Sequence, residues 1–107
     1  MVKAGDIFTA DGFFYQVIKA TAKTATVRPI QADFVGHADP YGWEKEYMPK
    51  PGIFIENDPI LGARASREGK RLKIYDFSAA QDTPTLKVCG EYLYLWDGTP
   101  SIFDTYN

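Results

Sequence analysis

The side chains best suited to chemistry lie between positions 37 and 44. The single histidine, His37, is followed by Asp39 and Glu44 in a stretch rich in Gly, Asp and Pro. An imidazole beside carboxylates is the combination used for acid–base catalysis and for metal binding. One His and one Cys, however, cannot supply the usual ligands of a closed zinc site within a monomer. We interpret His37 as a solvated loop histidine, and a hydrolase or metal-dependent enzyme at this loop is the least favoured function.

The nucleophiles of the chain give no stronger indication of catalysis. Ser66, Ser78 and Ser101 lack a G-x-S-x-G context, and there is no P-loop and no G-x-G-x-x-G motif. Cys89 lies among apolar residues in a predicted strand, so a buried structural thiol is its expected role. We therefore expect a non-enzymatic protein with no catalytic residues, no cofactor and no metal.

A basic segment is the most suggestive polar feature. Five cations oppose one acid, Glu68, in this segment: Arg64, Arg67, Lys70, Arg71 and Lys73. Together with Tyr75 and Phe77 they could bind phosphates and stack bases, which is the nucleic-acid-binding hypothesis. The same cations could dock on an acidic protein surface. A third interpretation is a solvated basic loop that neutralises the acidic segments of the chain itself.

Two aromatic residues stand apart from those expected in the core. Tyr41 and Trp43 lie in a Gly- and Pro-containing segment, residues 31–43, which is predicted to be a long loop. Aromatic side chains exposed on a loop mark a binding surface. The predicted partner-binding residues are therefore Tyr41 and Trp43 together with the five cations of the basic segment.

Composition sets the class of protein. A chain of 107 residues with 45% hydrophobic content is expected to form a single domain, 1–107. A net charge of −2 gives no overall attraction to nucleic acid. The lone Cys, the absence of a signal-peptide pattern and the absence of a long apolar run predict a soluble cytoplasmic protein without a membrane segment. Both a monomer and a homodimer are compatible with it.

Strand patterns dominate the chain. Residues 5–30 predict a three-stranded antiparallel meander, with Asp11-Gly12 as a type I′ turn, a break at 20–23 and Pro29 ending the third strand. Further strands are predicted at 52–56, 71–77 and 86–89, with a loop at 79–84 and a terminal strand near 102–106. Residues 91–96 fit either a strand or one helical turn. The predicted fold is mainly β, a small SH3-like antiparallel barrel or half-barrel.

Three segments carry a resemblance to a known family: GDIF…FYQVIKATAKTATVRPI, MPKPGIF and YLYLWDGTPSIFDTY. They resemble small proteins carried by bacteriophages, prophages and other mobile elements, whose pattern ends in L-W-D-G-K-P. Two departures are clear. Residues 9–12 form a tight turn where the family has a longer insert, and Thr99 stands in place of the Lys.

The resemblance implies a biological context more than a mechanism. Small phage proteins without catalytic groups often act by stoichiometric binding. The leading hypothesis is thus an inhibitor of a host defence effector in the host cytoplasm, such as a Cas nuclease, as anti-CRISPR proteins are. The alternative is the nucleic-acid-binding module built on residues 64–73.

Overall fold

The computed structural model describes residues 2–75 and 84–104. Within these ranges the chain forms one short helix and eight strands, all paired antiparallel. In chain order the elements are β1 (Ile7–Ala10), β2 (Phe13–Ala20), β3 (Thr24–His37), β4 (Glu44–Phe54), α1 (Gly62–Glu68), β5 (Lys70–Lys73), β6 (Thr85–Val88), β7 (Glu91–Leu95) and β8 (Ser101–Asp104). The prediction of a mainly β fold is confirmed.

Two tight turns organise the strands of the body. Asp11 and Gly12 have φ of 50° and 83°, which confirms the predicted left-handed turn between β1 and β2. Cys89 and Gly90, with φ of 47° and 86°, form a similar turn between β6 and β7. Cys89 is exposed there, so the prediction of a buried strand thiol is wrong. The helical alternative for 91–96 is also wrong, because β7 occupies residues 91–95.

The third strand is much longer than predicted. β3 continues through Pro29 to His37, so the loop expected at 31–43 shrinks to the turn at 38–43. Pro29 keeps a partner because its carbonyl accepts the Ile55 N–H at 2.9 Å. Irregularities in the β3–β4 register, between Ile30 and Ala32 and again between Phe34 and Gly36, let the strand bend while it stays paired.

The prolines of β4 also fail to interrupt it. Pro49 and Pro51 lie within β4, beyond the four residues, 44–47, that pair with β8. On the edge of β4 that faces β8, the two prolines therefore have no paired strand beside them, and their missing N–H groups remove no hydrogen bond between strands. Pairing between segments that are distant in sequence thus overrides the tendency of proline to end a strand.

The sheet is a half-barrel with an extension. The strand order is β6-β7-β1-β2-β3-β4-β8, and β5 pairs with the first half of β3. The sheet is not a closed barrel. Tyr75, just after β5, and Thr85 in β6 form an isolated bridge with hydrogen bonds of 2.7 and 2.9 Å. The second half of β3, with β4 and β8, forms the extension, which we call the arm (residues 32–54 and 101–104).

Two apolar clusters fill the body. The larger lies inside the half-barrel and contains Phe8, Tyr15, Val17 and Leu93, all at most 2% exposed. The smaller lies on the other face of β2, where Phe14 and two other buried residues meet half-buried side chains of the arm and Trp96, which follows β7. Adjacent residues of β2 thus point into different clusters, as the period-two pattern predicts.

The basic segment, for which a solvated loop was one interpretation, is largely not a loop, and β5 covers the first part of the strand predicted at 71–77. Residues 62–68 are helical and 70–73 form a strand. The carboxylate of Asp58 accepts the N–H groups of Ile60 and Leu61 at 3.0 Å, which organises the turn that leads into α1. The buried Ser66 hydroxyl donates to the Gly62 carbonyl at 2.6 Å and accepts the Asp58 N–H at 2.8 Å. Among the described residues, no helix has the length and apolar character to span a membrane.

Candidate binding surfaces

The predicted cations are divided between two joined elements. Arg64 and Arg67 lie on α1, whereas Lys70, Arg71 and Lys73 lie on β5, and all five are exposed. Gly69 links the two elements with φ of 97° and ψ of 151°, a conformation reserved for glycine. A Cβ at this position would lie 2.7 Å from Thr26 Cγ2, so only glycine permits this close approach to β3.

The five cations differ in their contacts. Arg64 forms an exposed ion pair with Glu68 at 3.1 Å, one helical turn away. The Arg67 guanidinium donates to the Ala63 carbonyl at 3.2 Å. Lys73 lies over the Tyr75 ring, with its Nζ 5.1 Å from the ring centre. Phe77, the second aromatic residue of the nucleic-acid-binding hypothesis, lies outside the described residues, as do Ser78 and the loop predicted at 79–84.

A cation that the sequence did not single out holds α1 on the sheet. Arg28 of β3 donates through Nε to the Ser66 carbonyl at 2.7 Å, and its guanidinium carbon lies 4.3 Å from the centre of the Phe54 ring. It also pairs with Glu56 at 3.5 Å. Arg28 is thus a structural residue that joins β3, β4 and α1. Because no other cation lies close to Arg28 in sequence, no local pattern indicated this role.

The second predicted group, Tyr41 and Trp43, lies at the end of the arm. Tyr41 is 81% exposed and Trp43 is 45% exposed, in the turn that connects β3 to β4. Two further apolar side chains near the end of β3 are also exposed, Phe34 at 52% and Val35 at 50%. Sequence reasoning missed both, although Phe34 is an aromatic residue of the same predicted loop, 31–43, and the argument used for Tyr41 and Trp43 applies to it equally. We call Phe34, Val35, Tyr41 and Trp43 the apolar tip.

The residues considered for catalysis build the turn at this tip. The Asp39 carboxylate accepts the Glu44 N–H at 2.9 Å, and the Ala38 N–H donates to the Glu44 carbonyl at 2.8 Å. The His37 ring packs edge-on against Phe34 with a centroid distance of 5.1 Å. Within residues 2–75 and 84–104, no group of three or more His, Cys, Asp and Glu side chains is arranged to hold a metal.

The two groups of predicted site residues occupy separate surfaces. β5 pairs with residues 24–27 of β3, and the apolar tip follows the other end of that strand. From Thr26 to His37 the strand path is roughly 35 Å long, since each strand residue adds about 3.3 Å. Sequence reasoning combined the groups into one partner-binding set, but the fold does not bring them together.

A cleft lies where the arm leaves the body. Its volume is about 290 Å³, and its walls include Phe13 of the first hairpin with Tyr47 and Phe103 of the arm. The rings of Phe13 and Phe103 pack edge-on at 6.2 Å. Tyr15 also lines it, and burial, followed by the negative charge of Asp58, raises the pKa of the Tyr15 phenol. The phenol is therefore neutral at ordinary pH.

Comparison with protein-family models, curated proteins and solved structures finds no match to this chain. The resemblance to phage and mobile-element proteins therefore stays a prediction.

Proposed function

We propose that this chain is a non-catalytic binding protein of a phage or mobile element that inhibits a host defence effector, and that it contacts this protein with the apolar tip. The observation that carries the proposal is the exposure of four large apolar side chains together at the end of one hairpin. Exposed apolar groups that cluster in this way are typical of protein-binding sites. Tyr and Trp are also the residue types enriched among those that dominate binding energy.

The arm presents the tip on a braced support. β8 pairs with β4 from Glu44 to Tyr47, immediately after the turn that carries the tip. The Ser101 hydroxyl of β8 accepts the Gly12 N–H at 2.9 Å and the Thr9 hydroxyl at 3.0 Å, which ties the arm to the first hairpin. A braced surface loses less conformational entropy on binding than a free loop, so it favours affinity.

Acidic residues lie beside the tip along the chain and indicate the charge of the partner. The turn contains Asp39, and Glu44 and Glu46 follow it. One cation, Lys45, lies between the two glutamates in sequence. A basic surface on the partner would be attracted to this rim and guided to the apolar tip. The nucleic-acid-binding groove of a defence nuclease is a surface of this kind.

A plating assay tests this function. We expect expression of the protein in bacteria with an active nuclease-based defence to restore plaque formation by a targeted phage. The double variant V35S/Y41A should lose this effect, because it removes two apolar side chains that are 50% and 81% exposed. Tyr94→Ala is the matched control, since Tyr94 is 57% exposed on β7.

Two results would contradict the proposal. Plaque formation that stays restricted in every defence background would remove the inhibitory function. Equal restoration by the wild type and by V35S/Y41A, at equal protein levels, would show that the apolar tip is not the contact surface.

A further inference from the structure

We infer a second binding surface on the outer face of β2, β3 and β5, which binds the phosphate backbone of single-stranded nucleic acid without reading its bases. Four exposed cations form this surface, which we call the basic face: Lys19, Lys23, Arg71 and Lys73. Lys70 is not included, because it pairs with the buried Val27 and so lies toward the other side of the sheet. Lys19 and Lys23 are outside the basic segment in sequence. The fold brings them beside it, and this inference does not depend on the function proposed for the arm.

Strand register places the cations on one face. Lys19 of β2 pairs with Thr26 of β3, and Thr26 pairs with Arg71 of β5, so the three side chains form a row across the sheet. In the next row on this face, Thr24 pairs with Lys73. The row from Lys19 to Arg71 spans two strand spacings, or about 9.6 Å.

The neighbouring residues complete the face. The Lys23 carbonyl accepts the Ile74 N–H at 2.9 Å, which holds the β2–β3 turn against the end of β5. Buried Ala25 and Leu72, which are paired with each other, point to the opposite side of the sheet and fix the outward direction of the flanking residues. Gly69 lies against Thr26 on this face and, having no Cβ, adds no side chain between the cations.

The cations of this face are available to an external anion. In the part of the chain that the structure describes, none of these four cations forms an ion pair; the pairs there belong to Arg28, Lys50 and Arg64. Arg64, which sequence reasoning included, is paired with Glu68 and lies on the helix, so we exclude it. The site is therefore a sheet surface and not the basic segment as a whole.

The composition of the face favours a phosphate backbone over an acidic protein. Protein interfaces have an apolar centre surrounded by polar groups. Among the described residues of this face, one large apolar side chain is exposed: Ile18, at 38%, whose Cδ1 would lie 3.1 Å from a Cβ at Gly69. Backbone binding needs cations alone, and flexible lysines can follow a flexible strand.

Fluorescence anisotropy with a labelled single-stranded DNA of about 20 nucleotides tests the inference, since this length exceeds the usual site size. We expect binding at low salt and equal affinity for homopolymeric and mixed sequences. We also expect a slope of log K against log salt near −2.8, which is about 0.7 for each of four cations. The variant K19Q/R71Q should reduce the magnitude of the slope by about 1.4. No binding at low salt would overturn the inference.

Two control variants distinguish the effect of removing cations from the basic face from the effect of lowering the net charge of the protein. K45Q/K50Q changes the net charge equally but lies on the arm, and Arg64→Gln removes the paired cation of α1. Both should leave the slope close to that of the wild type. If K45Q/K50Q and K19Q/R71Q reduced the slope equally, the binding site would not be the basic face. If polyglutamate bound as tightly as single-stranded DNA, the ligand would not be specifically a phosphate backbone. Far-UV circular dichroism verifies that each variant is folded.

Discussion

At the scale of single residues, Tyr15 links packing to ionisation. It is 2% exposed, packs in the larger cluster inside the half-barrel and has a pKa raised above the ordinary value of 10.0, chiefly by burial. The charges of Asp58, Cys89 and Glu91 raise the pKa further. The native state therefore holds the phenol proton at a pH at which the unfolded chain releases it.

This difference predicts a loss of stability in alkali. Above about pH 10 the unfolded state binds fewer protons than the native state, so the free energy of unfolding falls as the pH rises. The Tyr15→Phe variant lacks this ionisation, and its stability should fall less steeply over the same range. Urea unfolding between about pH 8 and 11 measures both slopes. Identical slopes in the two proteins would show that Tyr15 is not the group responsible.

At the scale of elements, sequence patterns predicted the parts of the fold that depend on neighbours in the chain. Asp11-Gly12 predicted the first hairpin because the turn requires positive φ at both residues. The continuation of β3 past Pro29 was not predictable in this way, since it depends on register irregularities and on pairing with β4. α1 was not predicted, because its N-cap, Leu61, makes no side-chain capping hydrogen bond and its first turn has no acidic residue, so the usual signals of a helix start are absent.

The candidate site residues also divide into those that local sequence reveals and those that depend on pairing between distant segments. Tyr41 and Trp43 were found from composition, because aromatic residues in a polar turn are unusual. The same argument could have found Phe34, which lies in the same segment, whereas Val35 is not aromatic and is recognised only from the course of β3 into the arm. The association of Lys19 with Arg71 depends on two cross-strand pairings, and no local pattern encodes it.

The junction between the arm and the first hairpin gives a second prediction. Ser101→Ala removes the acceptor shared by the Gly12 N–H and the Thr9 hydroxyl. We expect the free energy of unfolding to fall by about 1 to 2 kcal/mol, because a part-buried donor loses its partner. Thr21→Ala is the control, since its hydrogen bonds to Thr24 are exposed. Equal effects of the two substitutions in chemical denaturation would contradict the role of Ser101.

At the scale of the whole molecule, β3 belongs to both the half-barrel and the arm. Its first half pairs with β2 and β5 and its second half with β4, so neither part keeps its pairing when this strand unfolds. The smaller apolar cluster also includes side chains from both parts, among them Phe14 and Tyr47. We therefore expect the arm and the body to unfold together.

The two tryptophans allow a test of this cooperativity. Trp43 reports on the arm, and Trp96, whose ring lies edge-on to Phe14 at 6.5 Å, reports on the body. In Trp43→Phe and in Trp96→Phe, the fluorescence transition should coincide with the transition followed by circular dichroism. If Trp43 fluorescence changed at a lower denaturant concentration than the circular dichroism of the same variant, the arm would be an independent unit.

The central claim is that the apolar tip of the arm binds a host protein, and affinity capture from bacteria with an active nuclease defence tests it most directly. The tagged wild type and Tyr94→Ala should retain the defence effector in a stoichiometric complex, and V35S/Y41A should lose most of it. Retention of that effector by all three proteins in equal amounts, or its absence from all of them, would contradict the claim.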